Sequence, residues 1–203
     1  MKHALKMAAI ALALAACSSP QAPPPQYYEL RLDLPEAAAA ATTSKPADDG
    51  QVWQLMAPVK LPEHLERDVL WLPVGESGLQ PLPGHRWAEP LDAAVPRILL
   101  HDLAALRGTD RVWSGTLPSN LAVSKQLRVQ ILELAVARDG SSVRLSARCS
   151  LTSAGVGTPR PPRIFDVRLS APSQGREPDA LVAAHRLAIW RLAQEIVRRA
   201  YEL

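Results

Sequence analysis

Few residues in this chain combine the types and the spacing that chemistry requires. Ser77 lies in Gly75-Glu76-Ser77-Gly78, but a nucleophile elbow needs G-x-S-x-G on a strand-turn-helix, and this serine sits in a stretch of Pro and Gly. His64, His85, His101 and His185 include no i,i+4 pair and no H-E-x-x-H, so no metal site is predicted. His101-Asp102 has the residue types of half an acid–base or metal site. It falls on a helical pattern with no evident partner, which predicts a surface or capping role. Neither G-x-G-x-x-G nor a Walker pattern occurs, so nothing cradles a nucleotide phosphate. Asp48-Asp49 reads as solvating charge in a loop. The expectation is a protein with no catalytic residues, no metal and no cofactor.

The two cysteines are more informative. Cys149 falls in the alternation Val143, Leu145, Ala147, Cys149, Leu151, which predicts a small buried hydrophobe on the apolar side of a strand. Cys17 ends a different pattern. Lys2, His3 and Lys6 precede an apolar run over 7–16 that is too short to span a bilayer, the layout of a secretory signal peptide. That run ends Leu14-Ala15-Ala16-Cys17 rather than A-x-A. The ending resembles a bacterial lipobox, which implies lipid on the Cys17 thiol, cleavage before it and acylation of the new N-terminus. A plain signal peptide beside a chance cysteine is the alternative. Two or more acyl chains, at about 0.8 kcal/mol per buried methylene, make such an anchor stable. Lipid on Cys17 also precludes an intramolecular disulfide.

Ser18 follows the cysteine, and in the sorting pattern that such lipoproteins resemble, Ser there implies export to the outer membrane. Residues 18–26 include Pro20, Pro23, Pro24 and Pro25, which predicts an extended tether of roughly 3 Å per residue. The formal charge of +3 includes Lys2 and Lys6, so the chain without its leader is close to neutral. Its arginines are scattered among acids, with no basic run or aromatic–basic module, which argues against nucleic acid.

The elements that must position these residues follow from periodicity. Strands are predicted over 27–34, 52–59, 68–74 and 163–170, with a short one at 111–113. Residues 35–50 read as a low-complexity loop or a frayed helical turn, and 75–84, with Pro81 and Pro83, as irregular. Pro62 suits the first turn of the LPEHLER connection. Leu91, Val95, Leu99, Leu103 and Leu106 recur at spacings of three and four, predicting an amphipathic helix that opens at Pro90 and closes at Gly108. Pro96 should kink that helix or delay its start. Residues 125–138 and 141–152 form a hairpin closed at Asp139-Gly140, and a phase change near Ile131-Leu132 predicts a β-bulge. A last helix spans 179–201. Its apolar face holds Leu181, Val182, Ile189, Leu192 and Ile196, with Arg191, Gln194, Glu195, Arg198 and Arg199 opposite and Trp190 and Tyr201 on the flank.

The expected fold is α/β: one three-layer-like domain with a mixed central sheet and amphipathic helices packed on it. It follows a signal peptide over 1–16 and a lipidated cysteine with a Pro-rich tether over 17–26, and fills 27–203.

The segment HRWAEPLDAAVPRIL, 85–99, resembles the signature of the ABC-type transport auxiliary lipoproteins, which accompany mammalian-cell-entry (MCE) domain proteins. The lipobox, the YYEL opening, the LPEHLERDVLWL segment, the hairpin and the last helix agree in order, while the Ala/Pro-rich loop at 36–50 departs from the pattern. The resemblance implies a periplasm-facing domain on the outer membrane that docks an MCE-protein tunnel for phospholipid or another hydrophobic cargo. A permease and ATPase would sit at the inner membrane, and a homo-oligomeric ring is possible. It singles out Arg86, Trp87, Glu89, Pro90 and Leu91 as partner-binding candidates. For Trp87 packing is the competing role, and Arg86 with Glu89 could pair locally at the helix entry. Two other readings stand beside it: a structural or assembly lipoprotein of outer-membrane biogenesis, and a hydrolase built around Ser77 or His101.

Overall fold

The computed structural model describes residues 23–33, 49–119, 121–155 and 161–201. The expected signal peptide, Cys17 and most of the tether lie outside these residues, as does most of the 35–50 loop. In chain order the elements are β1 (Gln26–Tyr28), β2 (Trp53–Leu55), β3 (Val69–Val74), β4 (Gly78–Trp87), α1 (Leu91–Arg107), β5 (Val112–Ser114), β6 (Lys125–Val136), β7 (Ser142–Ser153), β8 (Arg163–Pro172) and α2 (Pro178–Tyr201). Short 3-10 turns precede β3 at Glu63–Glu66 and β5 at Thr109–Arg111.

The α/β class and the mixed pairing hold, with the strands shared between two sheets rather than one. A five-stranded sheet runs β5-β2-β6-β7-β8, and a three-stranded sheet runs β1-β4-β3. β2 lies parallel to both β5 and β6, whereas β6, β7 and β8 are antiparallel. In the small sheet β1 is parallel and β3 antiparallel to β4.

The β6–β7 hairpin shows how the sequence builds the core. Leu127, Val129 and Ile131 face inward in one phase, and Leu134 and Val136 in the other. The register passes from Ile131↔Ala147 to Glu133↔Ser146, so Leu132 is the extra residue of the expected bulge. Leu132 is thereby turned outward and is 44% exposed. The turn closes where Gly140 takes φ +70°, a left-handed conformation that suits glycine, and Asp139 Oδ1 accepts the Ser141 N–H at 3.0 Å.

α1 starts at Leu91 behind Pro90 and stops at Gly108, whose N–H donates to the Ala104 carbonyl at 2.8 Å. The helix starts ahead of Pro96, so its beginning is not delayed. The carbonyl that Pro96 cannot satisfy belongs to Asp92, which is exposed and can bond water. α2 is more deeply embedded than a single apolar stripe suggests. It packs on α1 and on β7 and β8, so Trp190, expected on the flank, is only 1% exposed and belongs to the core.

Three strands depart from expectation. β2 holds only Trp53–Leu55 of the expected 52–59, the residues that pair with β5 and β6. β1 takes only Tyr27 and Tyr28 of the expected 27–34, because among the described residues only 26–28 pair with β4, at His85–Trp87. Of the stretch expected to be irregular, 75–77 form the turn after β3, but 78–84 are the start of β4. Its prolines are tolerated because among the described residues β1 joins β4 only from His85 onward, Pro81 pairs with Trp71 of β3 alone, and Pro83 falls in the register shift between Val69 and Trp71.

Candidate functional site

The junction of β4 with α1 holds all five partner-binding candidates. His85 is fixed from β1: Tyr28 Oη lies 2.9 Å from His85 Nδ1, and the rings approach to 5.6 Å. The Trp87 N–H donates to the Asp68 carbonyl at 2.8 Å, and the Ala88 N–H to the Tyr28 carbonyl at 2.7 Å. The chain is thus clamped from both sides just before Pro90 opens the helix. Arg86, Ala88 and Pro90 reach solvent, and Glu89 is half-buried. Trp87 and Leu91 do not: they are 3% and 1% exposed. Trp87 meets the His185 ring edge-on at 5.4 Å, so packing is its role in the fold.

Arg86 and Glu89 do not pair with each other. Arg86 donates to Asp68 at 2.9 Å, and Glu89 takes a hydrogen bond from Arg97. The reason is geometric: Arg86 sits on the strand facing the start of β3, while Glu89 is already at the helix entry, eight residues before Arg97. Arg97 also donates to the Leu30 carbonyl at 3.2 Å, tying α1 to the segment after β1.

Behind this corner lies a buried ion pair that the sequence reading missed. Arg186 on α2 donates to both Asp102 oxygens, at 2.6 and 2.7 Å, in a bidentate fork. Its remaining donors reach the Arg31 carbonyl at 2.8 Å and the Leu32 carbonyl at 2.9 Å. Burial lifts the Asp102 carboxyl above its ordinary range, while the Arg186 hydrogen bonds pull against that rise. Asp102 therefore has an interior role rather than the expected surface or capping one. His101, its neighbour, lies 3.5 Å away with its own side chain 45% exposed. A signal was present in the sequence. Asp102 falls three residues after Leu99 on the apolar stripe of α1, and Arg186 falls between Val182 and Ile189 on that of α2.

A second buried arginine closes the opposite side. Arg107, 1% exposed, donates to Asp49 at 2.8 Å, to the Gln51 carbonyl at 3.1 Å and to Tyr201 Oη. Its guanidinium stacks 3.9 Å from the Trp53 ring centre. Burial alone would raise the Asp49 carboxyl, but hydrogen bonds from the Gln51 N–H and Arg107 carry it below its ordinary value. Together Arg186 and Arg107 fasten the described chain on both sides of residues 34–48. Asp49 thus serves more than solvating charge.

The residues considered for chemistry do not converge. Ser77 lies in the exposed turn between β3 and β4, whereas Asp102 is buried and held by Arg186. Cys149 is fully buried, and burial pushes its thiol up to about 12, which keeps it protonated and inert. His185 is buried too, and desolvation lowers its pKa to about 4, so its ring is neutral. Among the described residues no group of three or more His, Cys, Asp or Glu could hold a metal ion. No described helix is long and apolar enough to cross a membrane.

Comparison with known proteins bears on this arrangement. A family model described as the ABC-type transport auxiliary lipoprotein component matches residues 31–197. An uncharacterized protein of known crystal structure superposes with a TM-score of 0.65 at 17% identity, covering 88% of this chain and 99% of that one. Protein XCC0632 from Xanthomonas campestris gives 0.62 at 14% identity, covering 86% and 94%. These two likenesses establish a shared fold. No curated protein matches the chain.

Proposed function

The chain belongs to the ABC-type transport auxiliary lipoprotein family, and on that premise we propose that it is a non-catalytic accessory subunit of an intermembrane lipid-transport system. In this reading lipid on Cys17 anchors it to the outer membrane, and the tether holds the domain in the periplasm. There it docks an MCE-domain protein, which a permease and ATPase serve at the inner membrane. A homo-oligomeric ring of such subunits belongs to the same reading.

The observation that carries it is the family match, which spans nearly the whole described domain and starts shortly after the tether. The geometry of the signature corner is compatible. Trp87 and Leu91 brace it from inside, while Arg86, Ala88 and Pro90 are presented outward beside Tyr27, which is 62% exposed and pairs with Arg86 across β1 and β4. A braced corner carrying a cation and an aromatic ring is the kind of surface that partners use as an anchor.

The test is affinity purification of the lipidated protein from its own membranes beside a Cys17→Ala control, with the retained proteins identified by mass spectrometry. An MCE-domain protein enriched with the lipidated form is the expected result. Recovery of a β-barrel or cell-wall protein in its place would overturn the transport role.

A further inference from the structure

Between the β3–β4 hairpin, the bulged end of β6 and the first turns of α2 lies a cavity of about 170 Å³. Its inner wall is apolar and buried: Leu70, Trp87, Leu91, Leu134 and Leu181 are each at most 4% exposed. Its mouth is apolar as well but open, with Leu79 46% and Leu132 44% exposed. Leu132 is there because it is the extra residue of the bulge, a device that re-aims a side chain.

One group in this lining is out of keeping with its surroundings. His185 is 6% exposed, and its Nδ1 lies 2.7 Å from the Leu181 carbonyl one turn back on α2. A carbonyl only accepts, so Nδ1 carries the proton of this neutral ring and Nε2 is left as a bare acceptor. Nε2 lies on the far side of the ring from that carbonyl. Among the described residues no hydrogen bond reaches it. Of the other polar groups of the lining, the His64 carbonyl accepts from Trp71 Nε1 at 2.8 Å and the Glu133 carboxylate binds Arg144 at 2.8 Å, while the His64 ring is only partly buried. An unpartnered acceptor in an apolar cavity is a mark of a site that expects a donor from outside.

We propose that the cavity binds a medium-chain aliphatic alcohol or an amphiphile of that chemistry. Its hydroxyl donates to His185 Nε2, and its hydrocarbon runs outward between Leu79 and Leu132. The volume sets the length: an apolar cavity of about 150 Å³ holds benzene, so about six to eight carbons fit within this one. The open apolar mouth favours a chain over a compact ring. The proposal rests on the cavity and His185, and it stands whether or not the transport reading does.

The test is calorimetric titration of the chain from Ser18 onward, which keeps every described residue and needs no detergent. The probes are 1-octanol and its isomer 1-methoxyheptane, which has the same atoms but no hydroxyl donor. Saturable binding of octanol is expected, about tenfold tighter than the ether, the upper end for one neutral hydrogen bond. In His185→Phe the two isomers should bind alike. Leu132→Asp changes an exposed residue, so the fold is kept, and it should weaken both by at least about tenfold. Absence of saturable octanol binding, equal affinity for the isomers in the unaltered protein, or a preference surviving in His185→Phe would each overturn the proposal. If circular dichroism shows His185→Phe unfolded, the isomer comparison and Leu132→Asp decide alone.

Discussion

The ion pair between Asp102 and Arg186 supports a sharp stability prediction. Its side chains are 0% and 4% exposed, and Arg186 makes four hydrogen bonds, two to Asp102 and one each to the Arg31 and Leu32 carbonyls. Removing one partner strands the other charge in the interior, which costs about 3–5 kcal/mol. Asp102→Leu and Arg186→Met should each lose that much, a fall of about 10 °C in Tm for a domain of this size. The double variant replaces both charges by apolar groups. Arg31 and Leu32 are exposed, so water can take the carbonyls that Arg186 releases. The double variant should therefore recover to within about 2 kcal/mol of the parent, because a matched apolar pair is often as stable as a buried ion pair. Urea unfolding of the four proteins measures the coupling directly. A single substitution costing under about 1 kcal/mol, or a double cost equal to the sum of the singles, would refute the reasoning. The first result would mean the charges are solvated, and the second that the pair is not coupled.

Three further outcomes follow from the same structure. Because His185 has a folded pKa of about 4 against an ordinary 6.5, it contributes stability above pH 6.5 that is lost as the pH falls towards 4. Urea unfolding should show a loss of about 2 kcal/mol between pH 7 and pH 5, and His185→Phe should lose markedly less over that interval. Cys149 should resist a water-soluble thiol reagent in native buffer and react fully in denaturant; rapid native labelling would contradict its burial. Trp87→Ala should cost about 3–5 kcal/mol in thermal or urea unfolding, as for a large core aromatic, while Arg86→Ala should leave the unfolding midpoint nearly unchanged because its pair with Asp68 is exposed.

What could be read from the amino-acid order was what depends on neighbours in the chain. The hairpin and its bulge were legible because alternation changes phase at Ile131-Leu132, and α1 because its leucines recur between a proline and a glycine. β4 was not legible, because Pro81 and Pro83 resemble loop residues unless it is known that, among the described residues, β1 meets β4 only from His85 onward. Trp190 was misplaced because periodicity assumes one buried stripe, whereas α2 is covered by α1 as well as by the sheet. The Asp102–Arg186 pair spans 84 positions, and local spacing marks each residue only as a charge on an apolar face. The signature corner was visible as a segment. That Trp87 and Leu91 face inward while Arg86 and Pro90 face outward needed the strand-to-helix geometry.

The central claim is that the outward side of that corner docks an MCE-domain protein. A photo-crosslinking residue placed at Arg86 in the full-length protein in its own membranes tests it most directly, with the same residue at Arg168, on the exposed side of β8, as the control. The account predicts an adduct with an MCE-domain protein from position 86 and none from position 168. An adduct with a β-barrel or cell-wall protein from position 86, or no adduct there while position 168 captures the MCE-domain protein, would contradict it.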